Sequence, residues 1–335
     1  MSSSREIQTI LAALDEGPAA LATLIGVSGS SYRQPGARCL LLPDGTRIGS
    51  ISGGCLEEDI GRRAAEVLAN GNPQLTVYDT ATENDLIWGT GLGCRGEVRV
   101  FVERLSQPLP EWVGRLRENF RLRRDTLLEV IYAGSDARSL GTRLAREASV
   151  PADSHIYREK VPAPPSLVIF GAGDDAAPLT RLACELGWHI VVLDSRSAYA
   201  TSSRFPQAHH VETVDAASAA RHPLIDDRSH VIVMSHRYRD DVALLRALLP
   251  RPLAYVGVLG PRQRTQRMLS ELEAEDVPID SGTQARIYSP VGLDLGGAAP
   301  ETVALSIVAE LQAFHSKRKP RHLRDSPLPI HHGHG

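Results

Sequence analysis

Two cysteines of this chain stand in glycine-rich loops with features of a reactive or metal-binding thiol. Gly49-Ser-Ile-Ser-Gly-Gly-Cys-Leu-Glu-Glu-Asp59 ends an apolar run, passes through Gly53 and Gly54, and sets Cys55 just ahead of a helix-like segment. The glycine pair lets a ligand approach the main chain closely. The unpaired N–H groups at a helix start favour a thiolate, which is both a nucleophile and a soft metal ligand. Against this, Glu57, Glu58 and Asp59 put like charge beside any thiolate, and free cysteine commonly packs as a small hydrophobe. A functional and a structural Cys55 are both open on these residues. Gly89-Thr-Gly-Leu-Gly-Cys-Arg-Gly96 encloses Cys94 in the same manner. The loop Ser28 to Gly36 adds hydroxyls, among them Ser31, and the cation Arg33, with Arg38 just beyond. Guanidinium groups of this kind suit phosphate.

A second constellation lies further along. Phe170-Gly171-Ala-Gly173-Asp-Asp-Ala176 follows an apolar strand and precedes a helix, the context a dinucleotide fingerprint requires, and Asp194 closes the next strand where a ribose-binding acid belongs. Asp174 and Asp175, however, place two negative charges where a pyrophosphate would meet the helix N-terminus. Binding of NAD(P) and self-capping of the helix are therefore both open. Ser235-His236-Arg237 and Gly260-Pro-Arg262-Gln-Arg264 follow later strands, the positions where open α/β sheets hold ligands. His236 is a candidate acid, base or donor, and Arg262 a candidate phosphate ligand at a helix start; structural roles are the plainer alternatives. His331, His332 and His334 crowd the end of the chain, in a segment expected to be frayed rather than a site.

The elements that must position these residues follow from periodicity. Residues 5 to 16 read as an amphipathic helix stopped by Gly17-Pro18, and Ala20 to Val27 as a buried strand. Pro43-Asp44-Gly45 joins two short strands into a hairpin that leads into the Cys55 loop. Leu56, Ile60, Ala64, Val67 and Leu68 then share one helical face, ended by Asn70-Gly71. Strands are expected at 75–78, 97–103 and 127–132, with a helix at 112–119 between the last two. Val161-Pro-Ala-Pro-Pro165 is a stiff linker. Beyond it, strands and helices alternate as in a parallel sheet. The expectation is an α/β chain: an α+β domain over 1–160, a Rossmann-like parallel α/β domain over 161–315, and a flexible tail over 316–335.

Composition narrows the function classes. With 335 residues, two domains are the default. Hydrophobic residues make up 42% and charged residues 23%, as in soluble globular proteins, and a net charge of -3 gives no footing for nucleic-acid binding. Four cysteines without a C-x-x-C pair argue against a disulfide framework or zinc ribbon. No apolar run is long enough for a membrane span, and the N-terminus lacks a signal-peptide core, so a cytoplasmic location is expected.

Gly29-Ser-Ser-Tyr-Arg-Gln-Pro-Gly-Ala-Arg38, Gly49-Ser-Ile-Ser-Gly-Gly-Cys-Leu-Glu57 and Gly91-Leu-Gly-Cys94 resemble the N-terminal domain of the XdhC/CoxI family of xanthine dehydrogenase accessory factors. The Gly171 fingerprint, Val233-Met-Ser-His236, Tyr255-Val-Gly-Val-Leu-Gly260 and Pro290-Val-Gly-Leu-Asp294 are similar to its Rossmann-like C-terminal domain. Asp174 stands where the family often carries histidine. The resemblance implies a homodimeric chaperone without turnover of its own. It would bind molybdenum cofactor, as molybdopterin or its dinucleotide form, while a cysteine desulfurase supplies the sulfido ligand, and insert it into a xanthine dehydrogenase-type apoenzyme. On this reading Cys55 contacts the metal, with Cys94 as a second sulfur. Arg33 and Arg38 steady phosphate, and the cofactor lies between the glycine-rich loops of the first domain and the strand ends of the second. The rival from the residues alone is an NAD(P)-dependent oxidoreductase resting on Gly171, Gly173 and Asp194.

Overall fold

The computed structural model describes residues 2–29, 31–79, 96–145 and 153–327. The chain divides into two compact units, Met1–Ala163 and Pro164–Gly335, and the division falls inside the proline-rich segment. Among the described residues no helix is long and apolar enough to cross a membrane.

The first unit is built on a five-stranded antiparallel sheet in the order β3-β2-β1-β5-β4, with β1 Ala19–Gly29, β2 Arg38–Leu41, β3 Arg47–Gly49, β4 Gln74–Asp79 and β5 Gly96–Leu105. Strand alternation turns Leu21 and Leu40 to one face and Ala20, Ala22, Leu24, Cys39 and Leu41 to the other. The first face packs under α1 Ser4–Ala13 and α3 Glu111–Arg121, which contribute Ile7, Ile10, Trp112 and Leu116. The second is covered by Ile60, Ala64 and Val67 of α2 Glu57–Asn70. Cys39 is part of this core, and burial, reinforced by Glu57, pushes its thiol up to about 11.

A second sheet in this unit, in the order β7-β6-β8, joins β6 Thr126–Ala133, β7 Gly141–Leu144 and β8 His155–Val161. Periodicity alone does not single out β8, because Arg158, Glu159 and Lys160 interrupt its apolar pattern. The fold supplies their partners: Glu159 meets Arg38 of β2 in a buried ion pair, and Arg158 with Arg143 flanks the buried Glu129. Charges this deep require such pairing.

The second unit is Rossmann-like. Six parallel strands run in the order β11-β10-β9-β12-β13-β14, comprising β9 Ser166–Phe170, β10 His189–Asp194, β11 His210–Thr213, β12 Ser229–Val233, β13 Tyr255–Val258 and β14 Ile287–Tyr288. Helices α4 Ala176–Glu185 and α9 Pro300–His315 pack against each other on one face. On the other lie α5 Ala216–Ala219, α6 Tyr238–Leu248 and α7 Arg262–Ala274, with α8 Ser281–Ala285 preceding the last strand. The strands β9, β12 and β13 are buried along their whole length, the pattern of a sheet covered on both faces. The order reverses between β9 and β12, so the crevice at the carboxyl ends of these strands is the switch point.

Candidate functional site

The Cys55 loop is organised by a carboxylate of the helix it precedes. Glu57 is 8% exposed. It accepts hydrogen bonds from Ser50 Oγ at 2.9 Å, Ile51 N at 3.2 Å, Ser52 N at 2.8 Å, Gly54 N at 2.8 Å and Leu56 N at 3.1 Å, and also from Ser52 Oγ. The loop is thus an anion cradle whose anion is its own side chain. Burial opposes ionisation of this carboxyl, but the bonds from Ser52 and Ser50 outweigh it and bring it down to about 2. Gly53 and Gly54 take φ values of +85° and +124°, which permit the wrap. A Cβ on Gly53 would lie 2.9 Å from the Tyr32 ring, so the loop carrying Arg33 lies directly against the loop carrying Cys55.

This geometry distributes the three acids. Glu57 shapes the loop; Asp59 bonds Arg63 at 2.7 Å, Tyr78 at 2.8 Å and Arg62; Glu58 faces solvent. Cys55 itself is exposed, presented by a loop in which the N–H groups of Ile51, Ser52, Gly54 and Leu56 bind Glu57 and that of Gly53 binds Ser50 Oγ. Cys184, on α4, is half-buried, and Cys94 lies outside the described residues, whose next stretch opens at Gly96 opposite Gly29. The sequence-predicted phosphate ligands are placed differently from expectation. Arg33 pairs at 2.6 Å with Glu6, which also completes the capping box of α1 with Ser3. Arg38 is 3% exposed and bound to Glu159 and to the Gly36 carbonyl at 3.1 Å. Arg38 is thereby taken up within the fold, whereas Arg33, besides its pair with Glu6, keeps a buried Nε without a hydrogen-bond partner. Ser31 is half-buried beside Tyr32.

In the second unit the fingerprint loop is likewise engaged from within. Gly171 has φ +121°, and a Cβ there would collide with the Met234 carbonyl group. Its glycine is demanded by the close passage of the chain leaving β12. Asp194 is 6% exposed and accepts from Ala172 N at 2.7 Å and Arg196 N at 2.8 Å, and from Nε and Nη2 of Arg196 at 2.9 and 2.7 Å. Burial raises its carboxyl, and the bonds from Arg196 and Ala172 more than reverse that, so it stays low. These partners take up the carboxylate that the sequence offers as a ribose ligand. Asp174 pairs with Arg204 at 2.9 Å, and the guanidinium groups of Arg196 and Arg204 both lie over the Tyr199 ring, 3.9 and 5.1 Å from its centre. His236, itself at φ +59°, stands 3.2 Å from Asp175, with its ring against Gly173. The cavity lined by Gly171, Asp194 and Ser235 measures only about 20 Å³. Arg264 closes on the buried Asp241 at 2.6 Å, whereas Arg262 is exposed at the first turn of α7 beside a cavity of about 330 Å³.

Glu57 as the loop's anchor and the Arg196–Tyr199–Arg204 cover over the fingerprint went unread in the sequence. The acid cluster after Gly54 is visible in the residues, but which acid turns inward depends on where α2 packs.

Residues 12–79 match the XdhC and CoxI family, and residues 167–311 the XdhC Rossmann domain. The chain is 32% identical over 325 residues to a probable xanthine dehydrogenase subunit of Bacillus subtilis, an alignment covering 90% of this chain and 96% of that protein. It is 24% identical over 315 residues to the molybdenum cofactor insertion chaperone PaoD of Escherichia coli, covering 93% and 86% respectively. A crystal structure described as a xanthine dehydrogenase from Bacillus halodurans superposes with a TM-score of 0.79 at 30% identity, covering 97% of this chain and 98% of the other.

Proposed function

The chain belongs to the XdhC and CoxI family, and from that premise we propose that it is an accessory factor of a xanthine dehydrogenase-type molybdenum hydroxylase, binding molybdenum cofactor and passing it to the apoenzyme. Its similarity to a cofactor insertion chaperone supports this reading. The observation that carries the reading to particular atoms is the exposed Cys55 on a loop stiffened by six hydrogen bonds to Glu57. A thiolate held on a rigid support suits a soft, oxygen-sensitive metal centre, because no loop ordering opposes binding. Bound there, the cofactor would present its molybdenum for sulfido transfer.

The fit is to the metal end. Arg38 is engaged with Glu159 and Arg33 with Glu6, and the N–H groups of Ile51, Ser52, Gly54 and Leu56 in the Cys55 loop are taken by Glu57. Cys55 is therefore the residue on which the proposal rests. A cysteine desulfurase as sulfur donor, a homodimer and a cytoplasmic setting accompany this reading as parts of the same proposal.

Cys55→Ser is expected to lower the molybdenum cofactor that co-purifies after co-expression by at least about tenfold, measured as form A fluorescence of the oxidised pterin. Unchanged cofactor content removes Cys55 from the site. The oxidoreductase alternative has the sheet order and the Gly171 fingerprint in its favour, and the internal pairing of Asp194 and Asp174 against it. Calorimetric titration with NAD(H) and NADP(H) separates the two, since saturable micromolar binding would restore that alternative.

A further inference from the structure

A cluster of metal-binding donors lies away from both glycine-rich loops, at the edge of the parallel sheet. Strand alternation places His210 and Glu212 of β11 on one face. The segment after α5 brings His222 to them. His210 Nε2 is 2.7 Å and His222 Nε2 3.0 Å from the same atom, Glu212 Oε2, and all three donor atoms lie within 4.8 Å of one another. From this convergence we propose that His210, Glu212 and His222 form a binding site for a divalent zinc ion.

Two imidazoles and one carboxylate are a donor set suited to Zn²⁺, which takes nitrogen and oxygen ligands near 2.0–2.1 Å. Tetrahedral bonds of that length set donors roughly 3.3 Å apart. The two contacts to Glu212 are slightly shorter than this and the three donor atoms lie within 4.8 Å of one another, so the ion is admitted by Glu212 moving outward while the two imidazoles turn towards it. Glu212 and His210 are the mobile members, with side chains 44% and 39% exposed, while His222 is buried. Solvent access on the exposed side gives the ion an entry path and leaves its remaining coordination positions to water.

The buried ligand is held in advance. His222 N donates to the Ala219 carbonyl at 3.1 Å, and Ile225 N donates to the His222 carbonyl at 3.0 Å. Arg251 donates to the carbonyl of Ala220 and, at 2.8 Å, to that of Ile225, bracing the segment on either side of the ligand. Asp215 caps α5 just before it, accepting from Ala217 and Ser218. One contact opposes the ion: Leu224 N donates to His222 Nδ1 at 3.3 Å, so the ring now carries its proton on Nε2. Zinc at Nε2 moves that proton to Nδ1 and gives up this hydrogen bond, which is at the long end of the range. His209 is not a fourth ligand: its Nδ1 accepts from Ile190 N at 3.1 Å and its ring packs on His189.

The test uses the full-length chain with His331→Ala, His332→Ala and His334→Ala, so that the terminal histidines cannot contribute. Competition with a chromophoric zinc chelator is expected to give one Zn²⁺ per chain at micromolar affinity or tighter. Co²⁺ is expected to give the visible absorption of a low-symmetry nitrogen–oxygen site. His210→Ala and Glu212→Gln, both at exposed side chains, are each expected to weaken zinc binding at least about tenfold with circular dichroism unchanged. The absence of saturable binding in the parent, or binding that survives both substitutions, overturns the proposal. His222→Ala serves as a third variant, and a zinc-dependent rise in melting temperature seen in the parent and missing in it supports the assignment.

Discussion

The two glycine-rich loops that open α2 and α4 resemble each other in sequence and differ in how their backbones are satisfied. Each passes from a strand to a helix through glycines, with positive φ at Gly53 and Gly54 in the first and at Gly171 in the second, and each is followed by acids. Ahead of α2 the acid turns inward: Glu57 takes the place of an external anion, and the loop closes around it with Cys55 left facing outward. Ahead of α4 the acids remain at the surface, where Arg204 and His236 come over them, and the glycine makes room for the chain leaving β12. A glycine cradle therefore identifies a ligand only once the anion it holds is known. In this protein one cradle holds its own side chain, and the other is covered by residues from the segments that follow β10 and β12.

Removing the internal anion is the most direct way to break this contrast. Glu57→Ala leaves several loop N–H groups without an acceptor, and the expected loss of stability is about 4 kcal/mol in chemical denaturation. A loss below about 1 kcal/mol would mean that the loop does not depend on Glu57. The pH dependence checks the same point. The folded carboxyl titrates at about 2 against an ordinary 4.5, so its stabilising effect is complete above about 4.5 and is lost as the pH falls towards 2. Wild-type unfolding free energy should fall by about 3 kcal/mol across that window, and Glu57→Gln should remove that component.

The glycines give a smaller and more selective test. Gly171→Ala drives a methyl group against the Met234 carbonyl as well as straining φ, with an expected cost of about 3 kcal/mol. At Gly54 a Cβ meets nothing within 4 Å, and only the strain at φ +124° remains, about 1 kcal/mol. Equal melting temperatures for the two variants would contradict the difference drawn between the loops. Least affected should be Arg33→Ala: its ion pair with Glu6 is partly exposed, and a loss under about 1 kcal/mol is expected. If the same variant strongly lowers cofactor content, Arg33 leaves Glu6 when the cofactor binds.

Much of this molecule was legible along the chain. The hairpin before the Cys55 loop, the helix on Ile60, Ala64 and Val67, and the alternating second half all follow from periodicity and turn residues, because those signals are local. The multi-motif match to one family was also present in the residues. Arg33 and Arg38 show where such reading stops. Their type and position beside a glycine-rich loop suit phosphate, yet their partners Glu6 and Glu159 come from α1 and β8, and no local spacing announces a partner 121 residues away. β8 is hidden for the same reason, since its charges make sense only against Arg38 and Glu129.

The sequence by itself determined the two-unit α/β plan, the family and the presence of a cysteine at a glycine-rich helix start, because each is written in neighbouring residues. Only the tertiary structure decided which carboxylate fills that loop, which guanidinium groups are engaged, and that His210, Glu212 and His222 share one point in space. Those outcomes depend on which side chains the packed sheets bring together, and pairing between distant segments is set by the fold as a whole.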